Sequence, residues 1–249
     1  RLEAASVLLT FPGDFLEILL GFSEYPNFMT VSEKTLGFAE PVQMAKSNWF
    51  NTMYHALTCT GFQFLLSDTA LPLERLKKYK VLVLGSFEYM NVALQKKLVE
   101  FAESGGHVIL GPRIPTLDEY MQENLTLSST LKAAKRDSLV LRREEIGSVY
   151  NLGKGRITHL TSLANSDEAL EAAMQGFDLV RVVKNDARFD VTIHRSPENP
   201  DCLIIFVCNP TAEPIEAKVD LNFPLKSLKD IWDDRSVPLD GQSFHEALP

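Results

Sequence analysis

The sequence predicts an α/β doubly wound sheet, parallel and flanked by helices, followed by a smaller antiparallel β domain. Three observations carry that expectation. Residues 80–113 read as a buried strand, an amphipathic helix, a Gly-Gly turn and a second buried strand, which is a βαβ crossover. Upstream of it, strand-like and helix-like segments alternate, the pattern of a parallel sheet covered by helices. Beyond residue 182 the spacers between strands become too short for helices, and apolar residues alternate with polar ones as in a sheet with one wet face. The expected division is an α/β domain over residues 1–182 and an all-β domain over residues 183–249.

Taken in order, residues 6–10 (SVLLT) form a short apolar strand that ends at Phe11-Pro12-Gly13. A helix is expected over residues 41–59. Pro41 suits its first turn, Trp49, Met53, Ala56 and Leu57 recur at helical spacing, and Gly61 stands where a helix C-terminus favours glycine. Residues 62–66 (FQFLL) read as the next strand, and Asp68 and Pro72 lead into a short helix over 73–79. The crossover follows, with strands at 80–84 and 107–110, a helix at 92–104, and Gly105-Gly106 between helix and second strand. Residues 117–124 and 127–134 read as two helical segments. Strands are expected at 138–143, 147–151 and 156–163, with Gly153-Lys154-Gly155 as a tight turn. A helix over 166–180 takes Ser166 as its N-cap, with Glu168 and Glu171 near its positive end. In the β domain, strands fall at 188–194, 202–207 and 215–221, punctuated by Asn199-Pro200-Asp201 and Asn209-Pro210. Roughly 65 residues make a small core for an independent domain, so it is expected to pack against a neighbour.

Composition narrows the function classes. The 249 residues are 45% hydrophobic, which suits a globular protein with a proper core. No apolar run approaches the roughly 18 residues of a spanning helix, and the first residues show no secretory signal, so a cytoplasmic location away from membranes is expected. The chain starts at Arg1 rather than Met, which suggests a processed or excised segment of something longer. With 33 acidic against 25 basic residues the net charge is -8. The most basic stretch, LKAAKRDSLVLRREE, is offset at once by Glu144 and Glu145, so nucleic acid is not an expected partner. Cys59, Cys202 and Cys208 read as buried, reduced thiols rather than a disulfide or a metal site.

Ligands of open α/β sheets gather beyond the strand C-termini. Here those positions hold Ser86, Phe87, Glu88 and Tyr89 after one strand and Gly111, Pro112 and Arg113 after the next, with Asp118 and Glu119 a little further on. Ser86, Phe87, Glu88, Tyr89, Arg113, Asp118 and Glu119 are therefore the candidate ligand or interface residues. None supplies a recognisable reaction. A nucleophile elbow at 109–113 would need Cys or Ser with a base, and Pro112 and Arg113 stand there instead. His159 lacks an acidic orienter, since Thr161 follows it, and reads as an ordinary strand residue. The pairs Asp118-Glu119, Glu144-Glu145 and Asp233-Asp234 are adjacent in sequence, unlike the facing carboxylates of a glycosidase. Gly153–Gly155 is too short for a phosphate loop, and the five His show neither HxH nor HExxH spacing. No catalytic, cofactor-binding or metal-ligating residue is expected. Phe87, Tyr89, Tyr120 and Trp232 could stack on sugars, although aromatic residues more often pack in cores.

Together these segments resemble the middle domain of family 42 β-galactosidases. Tyr79-Lys80 opening a strand, Gly105-Gly106 ending a helix and the Asp118-Glu119 pair after a strand match positions typical of that family, and YNLGKGRITHLTSL is similar to its closing hairpin. The tail, LIIFVCNPTAEPIEAKVDL with LKDIWDD, resembles the small C-terminal β-sandwich of many glycoside hydrolases. The resemblance implies a flavodoxin-like, class I amidotransferase-like domain without its active site. It further implies a non-catalytic scaffold or oligomerisation role, a catalytic barrel elsewhere in the parent chain as partner, homotrimer formation, and galactosides as the sugars concerned. The catalytic barrel and its two glutamates are absent from this sequence, so no residue inherits their roles, and residues 115–124 depart from the pattern where a trimer surface would lie. Two other readings stay open: a carbohydrate-binding accessory module, and a stand-alone amidotransferase-like hydrolase using His159.

Overall fold

A computed structural model of the chain describes residues 18–22, 42–196, 198, 199 and 201–249. The strand expected at residues 6–10 and the turn after it lie outside the described residues. Contacts divide the chain into two compact units. Counting described residues, one holds Ile18–Ala56 and Phe64–Phe177, and the other holds Leu57–Gln63 and Asp178–Pro249.

The larger unit is built on a seven-stranded sheet. Its strands are β1 (Ile18–Phe22), β2 (Phe64–Asp68), β3 (Val81–Ser86), β4 (His107–Pro112), β5 (Lys135–Leu141), β6 (Glu144–Leu152) and β7 (Gly155–Leu160), in the spatial order β2-β1-β3-β4-β7-β6-β5. From β2 to β7 neighbours run parallel, whereas β6 and β5 run antiparallel. The sheet is mixed: the parallel sheet expected from sequence is found from β2 to β7, and the expected turn at Gly153–Gly155 joins the antiparallel β6 and β7, with β5 added beyond them. The reason lies in the connections. Arg142-Arg143 joins β5 to β6 and Gly153-Lys154 joins β6 to β7, and two-residue links can close only antiparallel hairpins. Arg142 and Arg143 both adopt positive φ, 51° and 74°, the backbone such a tight turn demands.

Strand β1, ILLGF, is missing from the sequence reading, yet it sits between β2 and β3 and pairs with both. Every residue of β3 is buried, as are the first five of β4. Strands covered on both faces read as continuous apolar runs, which is why this pair was visible from sequence. The helices are α1 (Val42–Thr60), α2 (Leu73–Leu76), α3 (Val92–Glu103), α4 (Thr126–Ala133) and α5 (Ser166–Met174). Leu94, Leu98, Phe101 and Ala102 make one face of α3, and they pack with Leu82, Leu84, Val108, Leu110 and Ile157 of the sheet. Trp49 and Met53 of α1 are also buried. Gly111 has no room for a side chain because the neighbouring strand's Leu160 carbonyl stands in the way, with Trp49 in ordinary contact beyond it. A Cβ there would stand 2.2 Å from the Leu160 carbonyl oxygen and 3.4 Å from Trp49 Nε1.

Several boundaries move. The strand expected to begin at Phe62 starts at Phe64, and the helix over 73–79 stops at Leu76. Residues 117–124 are not helical. Leu117 makes isolated bridges to Tyr89 and Glu123, and Met121 takes φ 61°. The last helix ends at Met174, before Gly176 at φ 85°, and its N-cap is Asn165 in the left-handed region rather than Ser166.

The smaller unit contains β8 (Val182–Lys184), β9 (Asp190–Arg195), β10 (Leu203–Cys208), β11 (Ile215–Leu221), β12 (Leu228–Asp230), β13 (Arg235–Val237) and β14 (Ser243–Leu248). They form a three-stranded sheet β14-β11-β8 and the antiparallel pairs β10-β9 and β12-β13. Val191 and Ile193 of β9 join Ile215, Ala217, Val219 and Leu221 of β11 in one core with Phe189 and Phe244. The alternation seen in the sequence is thus the alternation of burial. Residues 57–63 are tied into this unit by their own hydrogen bonds. Val182 N–H donates to the Gly61 carbonyl at 2.9 Å, Arg181 Nε donates to the Thr60 carbonyl at 2.7 Å, and Gln63 N–H donates to the Val180 carbonyl at 3.2 Å. The Gln63 side chain acts as an extra strand edge, its Oε1 accepting from Ile193 N–H at 3.0 Å and its Nε2 donating to the Val191 carbonyl at 3.3 Å. Gly61, at φ 76°, must be glycine, since a Cβ would fall 1.7 Å from the Val182 carbonyl oxygen. Cys202 and Cys208 are exposed and Cys59 is half-buried, which corrects the expectation of three buried thiols. In β10 it is Leu203, Ile205 and Val207 that pack against the core.

Candidate functional site

The C-terminal edge of β3 and β4 is where a fold of this kind presents ligand-binding groups. Ser86 ends β3 and lies opposite Pro112, the last residue of β4. Ser86, Phe87 and Tyr89 are buried, so these two aromatics have no surface to offer a sugar; Tyr120 and Trp232 are the exposed ones, at 77% and 89%. Among the described residues Ser86 Oγ has no hydrogen-bond partner, hence no base to activate it.

The segment after β4 folds back over this edge and is stitched to the segment after β3. Arg113 N–H donates to the Ser86 carbonyl at 3.0 Å, Thr116 and Leu117 N–H donate to the Glu88 carbonyl at 2.9 and 3.0 Å, and Met90 N–H donates to the Leu117 carbonyl at 3.0 Å. The side chains complete the closure. Arg113 forms an ion pair with Glu88. Asp118 Oδ1 accepts from the N–H groups of Tyr120 and Gln122 at 2.8 and 3.0 Å and holds its own turn. Glu119 Oε2 accepts from Val92 N–H at 3.1 Å, at the start of α3. Asn91 Oδ1 takes the next two amides, Ala93 at 2.8 Å and Leu94 at 3.2 Å. A helix N-terminus with free N–H groups is an anion site. Here three of those groups are satisfied by Glu119 and Asn91 of the same chain.

His159 lies near this edge on β7. Its Nε2–H donates to the Pro112 carbonyl at 2.8 Å, and burial lowers its pKa below the ordinary imidazole value. A nitrogen whose proton is tied to a carbonyl cannot act as the base of a nucleophile pair. His107, at the opposite end of the sheet, is fully buried, bonds Thr158 Oγ1 through Nε2 at 2.9 Å and stacks on Phe177. Burial pushes its pKa well down, and the neighbouring Arg156 adds to the effect. Among the described residues, no group of three or more His, Cys, Asp or Glu side chains could hold a metal ion.

The structure thus brings Ser86, Glu88, Tyr89, Arg113, Asp118 and Glu119 into one neighbourhood, with Phe87 in the core beneath. The sequence reading missed two residues there. Asn91, the cap of α3, had a signal in an Asn directly before an apolar helical repeat. Gln95 is buried on the packed face of α3, its Nε2 donating to the Met90 carbonyl at 2.8 Å and its Oε1 accepting from Leu127 N–H at 3.1 Å. An amide between Leu94 and Leu98 on a buried face was the available clue.

With that geometry in hand, the fold can be set beside those of known proteins. The chain is similar to the β-galactosidase of Bacillus circulans sp. alkalophilus, at TM-score 0.66 and 12% identity, covering 94% of this chain and 40% of that one. It is similar to Gan42B, a GH42 β-galactosidase from G. stearothermophilus, at TM-score 0.63 and 13% identity, with the same two coverages of 94% and 40%. A GH42 exo-carrageenase from Bacteroides ovatus follows at TM-score 0.51 and 16% identity, covering 94% of this chain and 29% of that one. Nearly the whole chain therefore has the fold of a part of a GH42 enzyme. More particularly, residues 33–155 match the family model of the GLMA-like second domain. By sequence the chain is also 31% identical over 119 residues to a β-1,2-glucosyltransferase of Ignavibacterium album (strain DSM 19864 / JCM 16511 / NBRC 101810 / Mat9-16), covering 42% of this chain and 16% of that protein. The chain spans well under half the length of each of these relatives.

Proposed function

We propose that this chain is the non-catalytic scaffold region of a larger glycoside hydrolase of the GH42 β-galactosidase kind. The observation that carries the reading is the coverage: 94% of the chain superposes on 40% of a GH42 β-galactosidase, so its counterpart there is one portion of a longer enzyme. The edge described above supports it, since the groups able to do chemistry are bonded to one another. In this reading residues 1–182 form a flavodoxin-like, amidotransferase-like domain, in keeping with the parallel strand order β2-β1-β3-β4-β7. Residues 183–249 form a small β-sandwich domain. The partners are a catalytic barrel of the same polypeptide and further copies of the chain, in a cytoplasmic enzyme acting on galactosides. The coding sequence upstream of Arg1 tests this. An in-frame catalytic barrel is expected there, and a start codon at that point, or cleavage of a chromogenic galactoside by the purified chain at an enzymic rate, overturns it.

A second reading keeps the scaffold role but changes the parent to a glucosyltransferase. The 31% identity to the β-1,2-glucosyltransferase favours it. Glucosyl transfer to an oligosaccharide acceptor by the full-length protein, with little net hydrolysis, distinguishes it from the first.

A further inference from the structure

Beside the segment that folds over the strand edge, the larger unit contains a cavity of about 470 Å³ lined by α4 and by strands β5 and β6. That volume lies in the range of small-molecule sites, roughly 300–1,000 Å³. One wall is a single face of α4 and the residue before it, where Leu125, Ser128, Leu131 and Lys132 recur at helical spacing. The facing wall is a cross-strand pair, Arg136 of β5 directly opposite Tyr150 of β6. Ile114 and Thr116, from the segment after β4, close one end.

The lining combines an apolar floor with two cations, and no carboxylate is among its residues, although the chain as a whole carries a charge of -8. The cations differ in mobility. Arg136 is held in place, its Nε donating to Ser148 Oγ at 2.9 Å and its Nη2 paired with Glu145. Lys132 is exposed in the last turn of α4 and has no ion-pair partner among the described residues. Buried ligands of this size are fixed by a few convergent polar groups over an apolar surface, and a free ammonium beside an oriented guanidinium selects an anion. The Tyr150 ring and the aliphatic floor suit the C–H face of a sugar ring, and the Thr116 and Ser128 hydroxyls suit its hydroxyl groups.

We infer that this cavity binds a small acidic sugar, one or two rings bearing a carboxylate or phosphate, with the anion at Lys132 and Arg136. The sugar part rests on the carbohydrate-enzyme reading above, while the anionic part rests on the cavity alone. Titration calorimetry of the chain with glucuronate, glucose 6-phosphate, glucose and benzoate tests it. Glucuronate or glucose 6-phosphate should bind at least tenfold more tightly than glucose. Lys132→Glu should weaken that binding at least tenfold, while Lys132→Arg should retain it, both variants keeping the native circular dichroism spectrum. No binding of either sugar anion, equal binding of glucose, or binding that survives Lys132→Glu overturns the inference. Binding of benzoate alone overturns the sugar assignment. None of these outcomes decides the nature of the parent enzyme, which the upstream coding sequence addresses separately.

Discussion

Replacing Gln95 by leucine should destabilise the larger unit by an amount its two hydrogen bonds set. The side chain is fully buried, and it satisfies the Met90 carbonyl and the Leu127 N–H at 2.8 and 3.1 Å. Gln95→Leu keeps the size and helix propensity of the residue but leaves both backbone groups without a partner. Each buried orphan costs about 1–3 kcal/mol, so the gross loss is about 2–6 kcal/mol. The apolar side chain returns about 1–2 kcal/mol by burying methyl groups where an amide was. The net loss then spans about 0–5 kcal/mol and centres at ~2.5 kcal/mol, a central value well outside the ~0.5 kcal/mol scatter of neutral substitutions. The chain has 2 tryptophans, and they report differently: Trp49 is 1% exposed in the larger unit, Trp232 is 89% exposed in the smaller. Urea unfolding followed by Trp49 fluorescence in a Trp232→Phe background therefore reads the larger unit alone. A midpoint shift equivalent to less than ~0.5 kcal/mol would refute the view that Gln95 joins the segment after β3 to the start of α4.

Three further outcomes follow from the same geometry. Glu119→Ala should cost about 0.5–2 kcal/mol, because it removes a carboxylate from the positive end of α3, and urea unfolding at low and high salt should show the loss shrinking with salt. His107 is held neutral by burial, its pKa well below 6.5, so the stability it confers is complete above the unfolded value and is lost as pH falls below about 6.5. His159 shifts in the same direction. The folded-to-unfolded ratio should drop by up to about tenfold per pH unit for His107 alone, and His107→Gln should flatten that slope in chemical denaturation between pH 7 and pH 5. Finally, a chromogenic disulfide reagent should label Cys202 and Cys208 rapidly in the native chain and Cys59 slowly; a single fast thiol would contradict their placement.

What was legible in the sequence was what local physics decides. Strands β3 and β4 and helix α3 announced themselves because burial on both faces leaves continuous apolar runs and because Leu94, Leu98 and Phe101 keep the helical period. The β9 and β11 alternation was visible for the same reason. Strand β1 was not, since ILLGF has no turn residue directly before it and a competing apolar run, SVLLT, lies just upstream. Residues 117–124 looked helical by composition, but the Asp118 carboxylate bonds the amides of Tyr120 and Gln122 and offers the backbone a turn instead. The candidate residues lie around the strand edge, with Phe87 in the core beneath, but the contacts they make there were hidden. The contact between Glu119 and Val92 spans 27 positions, and that between Gln63 and Ile193 spans 130, distances no spacing rule reaches.

The closure of that edge has a thermodynamic consequence. An anion arriving at the start of α3 does not meet bare N–H groups; it meets Glu119 and Asn91 already bonded there. A tethered group competes at an effective concentration on the order of millimolar or more, so a free ligand must exceed that level, or bind far better than a carboxylate, to displace it. The same holds for Arg113, which any incoming acid would have to draw away from Glu88. Releasing one tether would also disturb its neighbours, because Thr116 and Leu117 both hang from the Glu88 carbonyl and Met90 from Leu117. Ligand exchange at this edge therefore carries the cost of unstitching two chain segments from each other. At the cavity beside α4, Arg136 is paired with Glu145 much as Arg113 is with Glu88, whereas Lys132 has no ion-pair partner among the described residues, so an anion meeting Lys132 breaks no ion pair. On that comparison a ligand at the strand edge has to break bonds within the chain, and one meeting Lys132 does not.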